Sequence, residues 1–163
     1  MPRAHNALPL LGLAIRIAAA AVWIGAGVAK VPQIEGFREL VSRYAVLPPA
    51  LAAPFAYVLP FFEIGLGLYL AAGLFVRGSA LVVSLLLAVF LAAQAQAWAR
   101  GITLDCGCFG TAVQSTVGPL TLLRDIGLGI PTFLMLALPA RRLSLDRRLF
   151  GAEDRFSGET AHR

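Results

Sequence analysis

Four apolar runs dominate the chain: Leu8 to Lys30, Leu51 to Gly73, Ser79 to Trp98 and Pro119 to Pro139. A helix needs about twenty apolar residues, at roughly 1.5 Å each, to cross the hydrocarbon core of a bilayer, and each run is of that length. The composition agrees, with 163 residues of which 58% are hydrophobic and only 14% charged, at a mean hydropathy of +0.77. That length fits four spans with short loops and leaves no room for a separate soluble catalytic domain. The expected fold is all-α: a four-helix transmembrane bundle over residues 1–140, followed by a basic tail at 141–163. Between the first two spans, Ile34, Phe37, Leu40, Val41 and Tyr44 recur at helical spacing, with Glu35, Arg38, Glu39, Ser42 and Arg43 opposite. This pattern predicts a short interfacial helix, stopped by Pro48-Pro49. Small residues at Ala21, Gly25 and Ala29, and at Gly65 and Gly67, are expected to let helices approach closely. Tyr57, Trp98 and Phe109 read as interfacial anchors.

The net charge of +5 does not indicate nucleic acid, because the arginines crowd the tail, where they face anionic headgroups. An even number of spans puts both termini on one side. That side carries Arg3, Arg77, Arg141, Arg142, Arg147, Arg148, Arg155 and Arg163, against Lys30, Arg38, Arg43 and Arg100 on the other. The bias predicts cytoplasmic termini, with the loops at 31–50 and 99–118 outside. Arg3 before an apolar run resembles a secretory signal, but Arg16 interrupts that run and it continues to Lys30, so a retained span is expected. The two histidines, His5 and His162, sit at opposite ends of the chain, which argues against a multi-histidine metal site. Two cysteines are too few for a disulfide scaffold.

Both cysteines fall in one outer loop, Asp105-Cys106-Gly107-Cys108-Phe109-Gly110. Bridging them needs a turn that Gly107 adopts cheaply. Closing a loop of about three residues removes only roughly 1.6 kcal/mol of unfolded-state entropy, against about 3 for fifteen residues, so the bridge would be a poor staple. Strained, accessible disulfides exchange readily, and the compartment expected here is oxidising. The pair therefore reads as a redox dithiol, Cys106 and Cys108, with Arg100 and the N-terminus of the fourth helix favouring thiolate and Asp105 opposing it. Two alternatives use the same loop: transit of a soft cation such as Cu(I) or Hg(II) on the two sulfurs, or a membrane anchor that needs no cysteine chemistry.

Charges inside the spans cost at least about 2.5–3.5 kcal/mol each. Arg16 and Glu63 lie at similar depths on the first two helices and are expected to pair. Pro60 interrupts the backbone ladder just before Glu63, and a carboxyl at that depth suits a proton or quinone role. A quinone is the one cofactor the sequence suggests. Lys30, Arg124, Asp125, Gln94 and Gln96 lie at the depth of the cysteine loop and are expected to floor it.

Several of these residues also carry a family likeness. Gly27 and Lys30, the run Tyr44-Ala45-Val46-Leu47-Pro48, Pro60 with Glu63, and above all Asp105-Cys106-Gly107-Cys108-Phe109-Gly110 make the chain resemble the MauE family of methylamine utilisation, within the wider DoxX-like superfamily. The resemblance implies a four-helix membrane protein that acts with a thioredoxin-like, MauD-type partner in maturing a disulfide-rich periplasmic or extracellular client. The residues themselves then read as a thiol:disulfide oxidoreductase in which Cys106 and Cys108 exchange electrons, with Asp105, Gly107, Glu63, Lys30, Arg124 and Arg100 in support.

Overall fold

A computed structural model describes residues 4–108 and 115–137. Phe109, Gly110 and the basic tail lie outside the described residues. Five helices follow in order: α1 (Ala4–Lys30), α2 (Ile34–Tyr44), α3 (Pro49–Ala72), α4 (Val76–Ala99) and α5 (Pro119–Ala137), with a 3-10 turn at Val31–Gln33 joining α1 to α2. The expected four-helix bundle with a short helix between its first two members is the observed architecture. By length and apolarity three stretches can cross a membrane, Leu10–Tyr44, Pro49–Ala72 and Val76–Ala99. α5 is the fourth long helix and packs against α1 and α4.

Local chemistry sets the boundaries. α2 ends at Ala45, whose φ of 52° is left-handed and whose N–H returns to the Ser42 carbonyl, and the prolines that follow prevent the helix from resuming. Pro49 opens α3, where its missing N–H costs nothing. Gly73, at φ 72°, closes α3 by the paired bonds Gly73 N–H to Leu70 O and Leu74 N–H to Tyr69 O, a Schellman cap. Gly101 closes α4 in the same way, through Trp98 O and Ala97 O.

Glycine decides how α1 meets α3. A Cβ added at Gly27 would lie 2.5 Å from Pro60 O, and one at Gly67 would lie 2.6 Å from Ile24 Cγ1, so the two backbones touch at both places. The predicted stripe of Ala21, Gly25 and Ala29 is not the contact face. Ala21 and Gly25 are exposed, Gly25 and Gly65 have open space where a Cβ would stand, and Ala19, Ala20 and Trp23 take the buried positions. Periodicity of small residues alone does not say which of several stripes will be used.

The contact between Gly27 and Pro60 also sets the level at which α1 stops. Lys30 lies opposite Glu63, fourteen residues past Pro49 and so about 21 Å into α3. The outer part of α3 is covered by α2 instead, whose Phe37, Leu40 and Tyr44 are buried with Ala56 and Leu59. Glu35, Arg38, Glu39 and Arg43 stay on the exposed side of α2 in two local ion pairs, as its amphipathic pattern predicts. The buried residues fall into two clusters. One, around Trp23, Leu70, Val83 and Met135, lies toward the α3–α4 turn. The other, around Phe37, Leu59, Ala97 and Cys106, lies under the loops.

Candidate functional site: a buried dithiol on two charge pairs

The loop after α4 turns back into the bundle. Leu104 and Cys106 pair with Ser115 and Val117 through Cys106 N–H to Ser115 O at 2.9 Å and Val117 N–H to Leu104 O at 2.7 Å, with Asp105 and Thr116 as an isolated antiparallel bridge. Alternation along the extended segment turns Leu104 and Cys106 inward, both buried. Tyr44 donates its hydroxyl to the carbonyls of Asp105 and Cys106, at 3.0 and 3.3 Å. Gly107 completes the turn at φ +71°, and a Cβ there would stand 2.5 Å from Leu40 Cδ2. Both the left-handed backbone and the closeness of α2 demand glycine between the cysteines.

Two charge pairs support this turn. Lys30 is wholly buried. Its Nζ donates to Glu63 Oε1 and Oε2 at 2.9 and 2.8 Å and to the carbonyl of Cys108 at 2.7 Å, and it lies over the Phe37 ring, 5.5 Å from the centroid. The expected pair of Arg16 with Glu63 is therefore replaced by Lys30 with Glu63. Lys30 does floor the cysteine loop, as its depth predicts, and it reaches Glu63 because α1 stops beside mid-α3 and hands the outer part of α3 to α2. Arg16 lies fourteen residues, about 21 Å, back along α1 from Lys30.

The second pair is Arg124 with Asp125. The guanidinium of Arg124 donates to Asp125 Oδ1 at 2.9 Å, to Ser115 Oγ at 2.9 Å and to Cys106 Sγ at 3.0 Å. Cys108 Sγ donates to Asp125 Oδ2 at 3.0 Å, and the Gln94 amide donates to the same oxygen at 2.9 Å and to Cys108 Sγ at 3.1 Å. The two sulfurs and a carboxylate oxygen of Asp125 lie within 4.8 Å of one another, and both thiols are free.

This arrangement separates the thiols electrostatically. The Cys106 thiol is held well below its ordinary pKa, first by hydrogen bonding from Cys108 and further by Arg124, against the opposing effects of burial and Asp125. The Cys108 thiol is pushed strongly up by Cys106, by burial and by Asp125. The surroundings thus favour ionisation at Cys106 over Cys108.

Of the residues singled out from sequence, Cys106, Gly107, Cys108, Lys30, Glu63 and Arg124 come together. Arg100 is exposed at the end of α4, and the cation on the thiol is Arg124. Asp105 contributes its backbone, through the bridge to Thr116 and the Tyr44 hydrogen bond, while the carboxylate beside the sulfurs is that of Asp125. Gln96 is exposed, whereas Gln94 is buried in the site. In the sequence Asp125 stands out only as a residue at the right depth. The signal for more was an acid following Arg124 inside an apolar helix, where uncompensated charge is costly.

Fold and site together define a helical multi-pass membrane protein with a polarised dithiol, Cys106 buried and Cys108 half-buried. The family model described as methylamine utilisation protein MauE matches residues 8–138, and this chain belongs to that family. It is 33% identical over 138 residues to methylamine utilization protein MauE of Paracoccus denitrificans, covering 81% of this chain and 74% of that protein. It is 30% identical over 133 residues to the protein of the same name from Methylophilus methylotrophus, covering 80% and 70%. The Methylorubrum extorquens protein of that name matches at 32% over 109 residues, covering 66% and 59%. No solved structure matches.

Proposed function

We propose that this chain is a membrane thiol:disulfide exchange protein, in which Cys106 and Cys108 cycle between dithiol and disulfide. The observation that carries this reading is the asymmetry of the pair: Arg124 at 3.0 Å from one sulfur and Asp125 at 3.0 Å from the other. In the reduced form the Cys106 thiolate attacks a partner disulfide. A bond forms between Cys106 Sγ and one partner sulfur, and the other partner sulfur leaves as thiolate. Cys108 then gives its proton to Asp125 and attacks Cys106 Sγ, closing the intramolecular bridge and expelling the partner's remaining thiolate. The partner gains two electrons and this chain loses two; the reverse direction follows the same path. Lys30, neutralised by Glu63, holds the Cys108 carbonyl in place throughout.

The membrane family and the positive-inside bias favour a bacterial inner-membrane location, with cytoplasmic termini and tail and with the dithiol loop on the other face. A thioredoxin-like, MauD-type protein is the partner that the family resemblance suggests, in the maturation of an exported client belonging to methylamine utilisation. Client maturation in cells carrying Cys106→Ser or Cys108→Ser tests this, together with alkylation gel-shifts of intact membranes. Both variants are expected to abolish maturation; full complementation by the double serine variant sinks the reading.

The cluster of two sulfurs and a carboxylate oxygen also suits a soft cation. Arg124 stands against it, because a cation bound to Cys106 would have to displace the guanidinium. Cysteine-dependent survival in Cu or Hg with normal client disulfides would favour that reading.

A further inference from the structure

Cys106 borders a cavity on the side of α2 and α4. It measures about 110 Å³, and its lining is almost wholly apolar, drawn from α2, α3, the Val46–Leu47 turn and α4. Phe37, Tyr44, Phe55 and Phe90 give it aromatic walls. Val46 and Val89, which also line it, are exposed, and Val89 lies on α4, a helix long and apolar enough to cross a membrane. Gln94 also lines it, and this side chain is nine-tenths buried and more, with an Oε1 atom that has no hydrogen-bond partner among the described residues. A buried carbonyl oxygen left unpaired keeps its full desolvation penalty, which a ligand bearing a hydroxyl would relieve.

We propose that this cavity binds the ring of a membrane quinone, and that the quinone takes the electrons of the Cys106–Cys108 dithiol. The inference rests on the exchange reading and assigns it a direction. Any co-reactant reaching Cys106 through this cavity must be soluble in lipid and flat enough for the aromatic walls. It must also accept two electrons from a dithiol and, once reduced, present a hydroxyl to Gln94 Oε1. A quinone meets all of these requirements, whereas an acyl chain fills the space but accepts no electrons.

The step balances. Cys106 and Cys108 together lose two electrons as their S–S bond forms. The quinone gains both and takes up two protons to become quinol. One proton is that of Cys108, passed on through Asp125. The other comes from the aqueous side and replaces the proton Cys106 released on ionising. The resulting disulfide is then available to oxidise a partner dithiol by the exchange path run in reverse.

The test uses the full chain in detergent, reduced and kept anaerobic, with decylubiquinone as electron acceptor. Quinol is followed by absorbance, and the Cys106–Cys108 bridge by alkylation and mass. One quinol is expected per bridge formed. Ala93→Trp and Leu47→Trp, which fill the cavity without touching either sulfur, are each expected to slow this oxidation by at least about tenfold. Oxidation by a small water-soluble disulfide should be unchanged in both. Several results overturn the assignment: no quinol, a lasting thioether adduct in place of the bridge, or quinone oxidation indifferent to both variants while the small disulfide still reacts. If the small disulfide also fails with the unaltered chain, the exchange reading itself falls.

Discussion

Replacing Lys30 with methionine removes a cation that is fully buried and spends all its strong bonds on two partners: both oxygens of Glu63 at 2.8 and 2.9 Å, and the Cys108 carbonyl at 2.7 Å. Methionine fills a similar volume, so the expected cost is electrostatic. Breaking a buried ion pair by deleting one member costs about 3–5 kcal/mol, because the remaining charge is left uncompensated. The orphaned Cys108 carbonyl accounts for about 1–3 kcal/mol of desolvation penalty. Lys30→Met should therefore lose roughly 4–8 kcal/mol in equilibrium unfolding in mixed micelles, followed by helicity. The double variant Lys30→Met/Glu63→Leu removes both charges and retains only the carbonyl penalty, so it should recover to within about 1–3 kcal/mol of the unaltered chain. Alkylation of Cys108 should be faster in both, since nothing then ties its backbone to α1. A loss below about 1 kcal/mol in the single variant, or a double variant no more stable than the single, would refute the argument that a buried ion pair carries this loop.

Arg124→Gln removes the guanidinium from Cys106 Sγ. A lowered thiol pKa means the thiolate persists as pH falls, so iodoacetamide should modify Cys106 with a midpoint below the ordinary thiol value of about 8.5, and Arg124→Gln should move that midpoint upward; an unmoved pH profile would count against the assignment. Asp125→Asn keeps the shape but accepts no proton, and the closing of the bridge after mixed-disulfide formation should slow by about a hundredfold or more in rapid-quench alkylation. Gly107→Ala meets both a left-handed φ and Leu40 Cδ2, and should destabilise the fold by about 1–3 kcal/mol in the same micelle assay. Adding Leu40→Ala should relieve only the steric share. Gly27→Ala drives a methyl group into Pro60 O and should separate α1 from α3, read as loss of helicity together with exposure of Cys108 to alkylation.

What the linear chain determined is what depends on near neighbours. Span length, the amphipathic face of α2 with Phe37, Leu40 and Tyr44 on one side, the prolines that end it, and a glycine between two cysteines are all patterns of a few consecutive turns. Periodicity and backbone sterics act at that range. What only the tertiary structure decided is how far α1 slides along α3. That depends on which small residues meet, Gly27 on Pro60 and Gly67 on Ile24, and many registers bury equal apolar area. The register set Lys30, and not Arg16, against Glu63, and brought the carbonyl of Cys108 onto an amine seventy-eight positions earlier. The packing of α5 against α4 and the loop set Asp125, and not Asp105, against the sulfurs. Charge pairing inside a bilayer is strong but blind to sequence distance, so its partners become known only once the helices are packed.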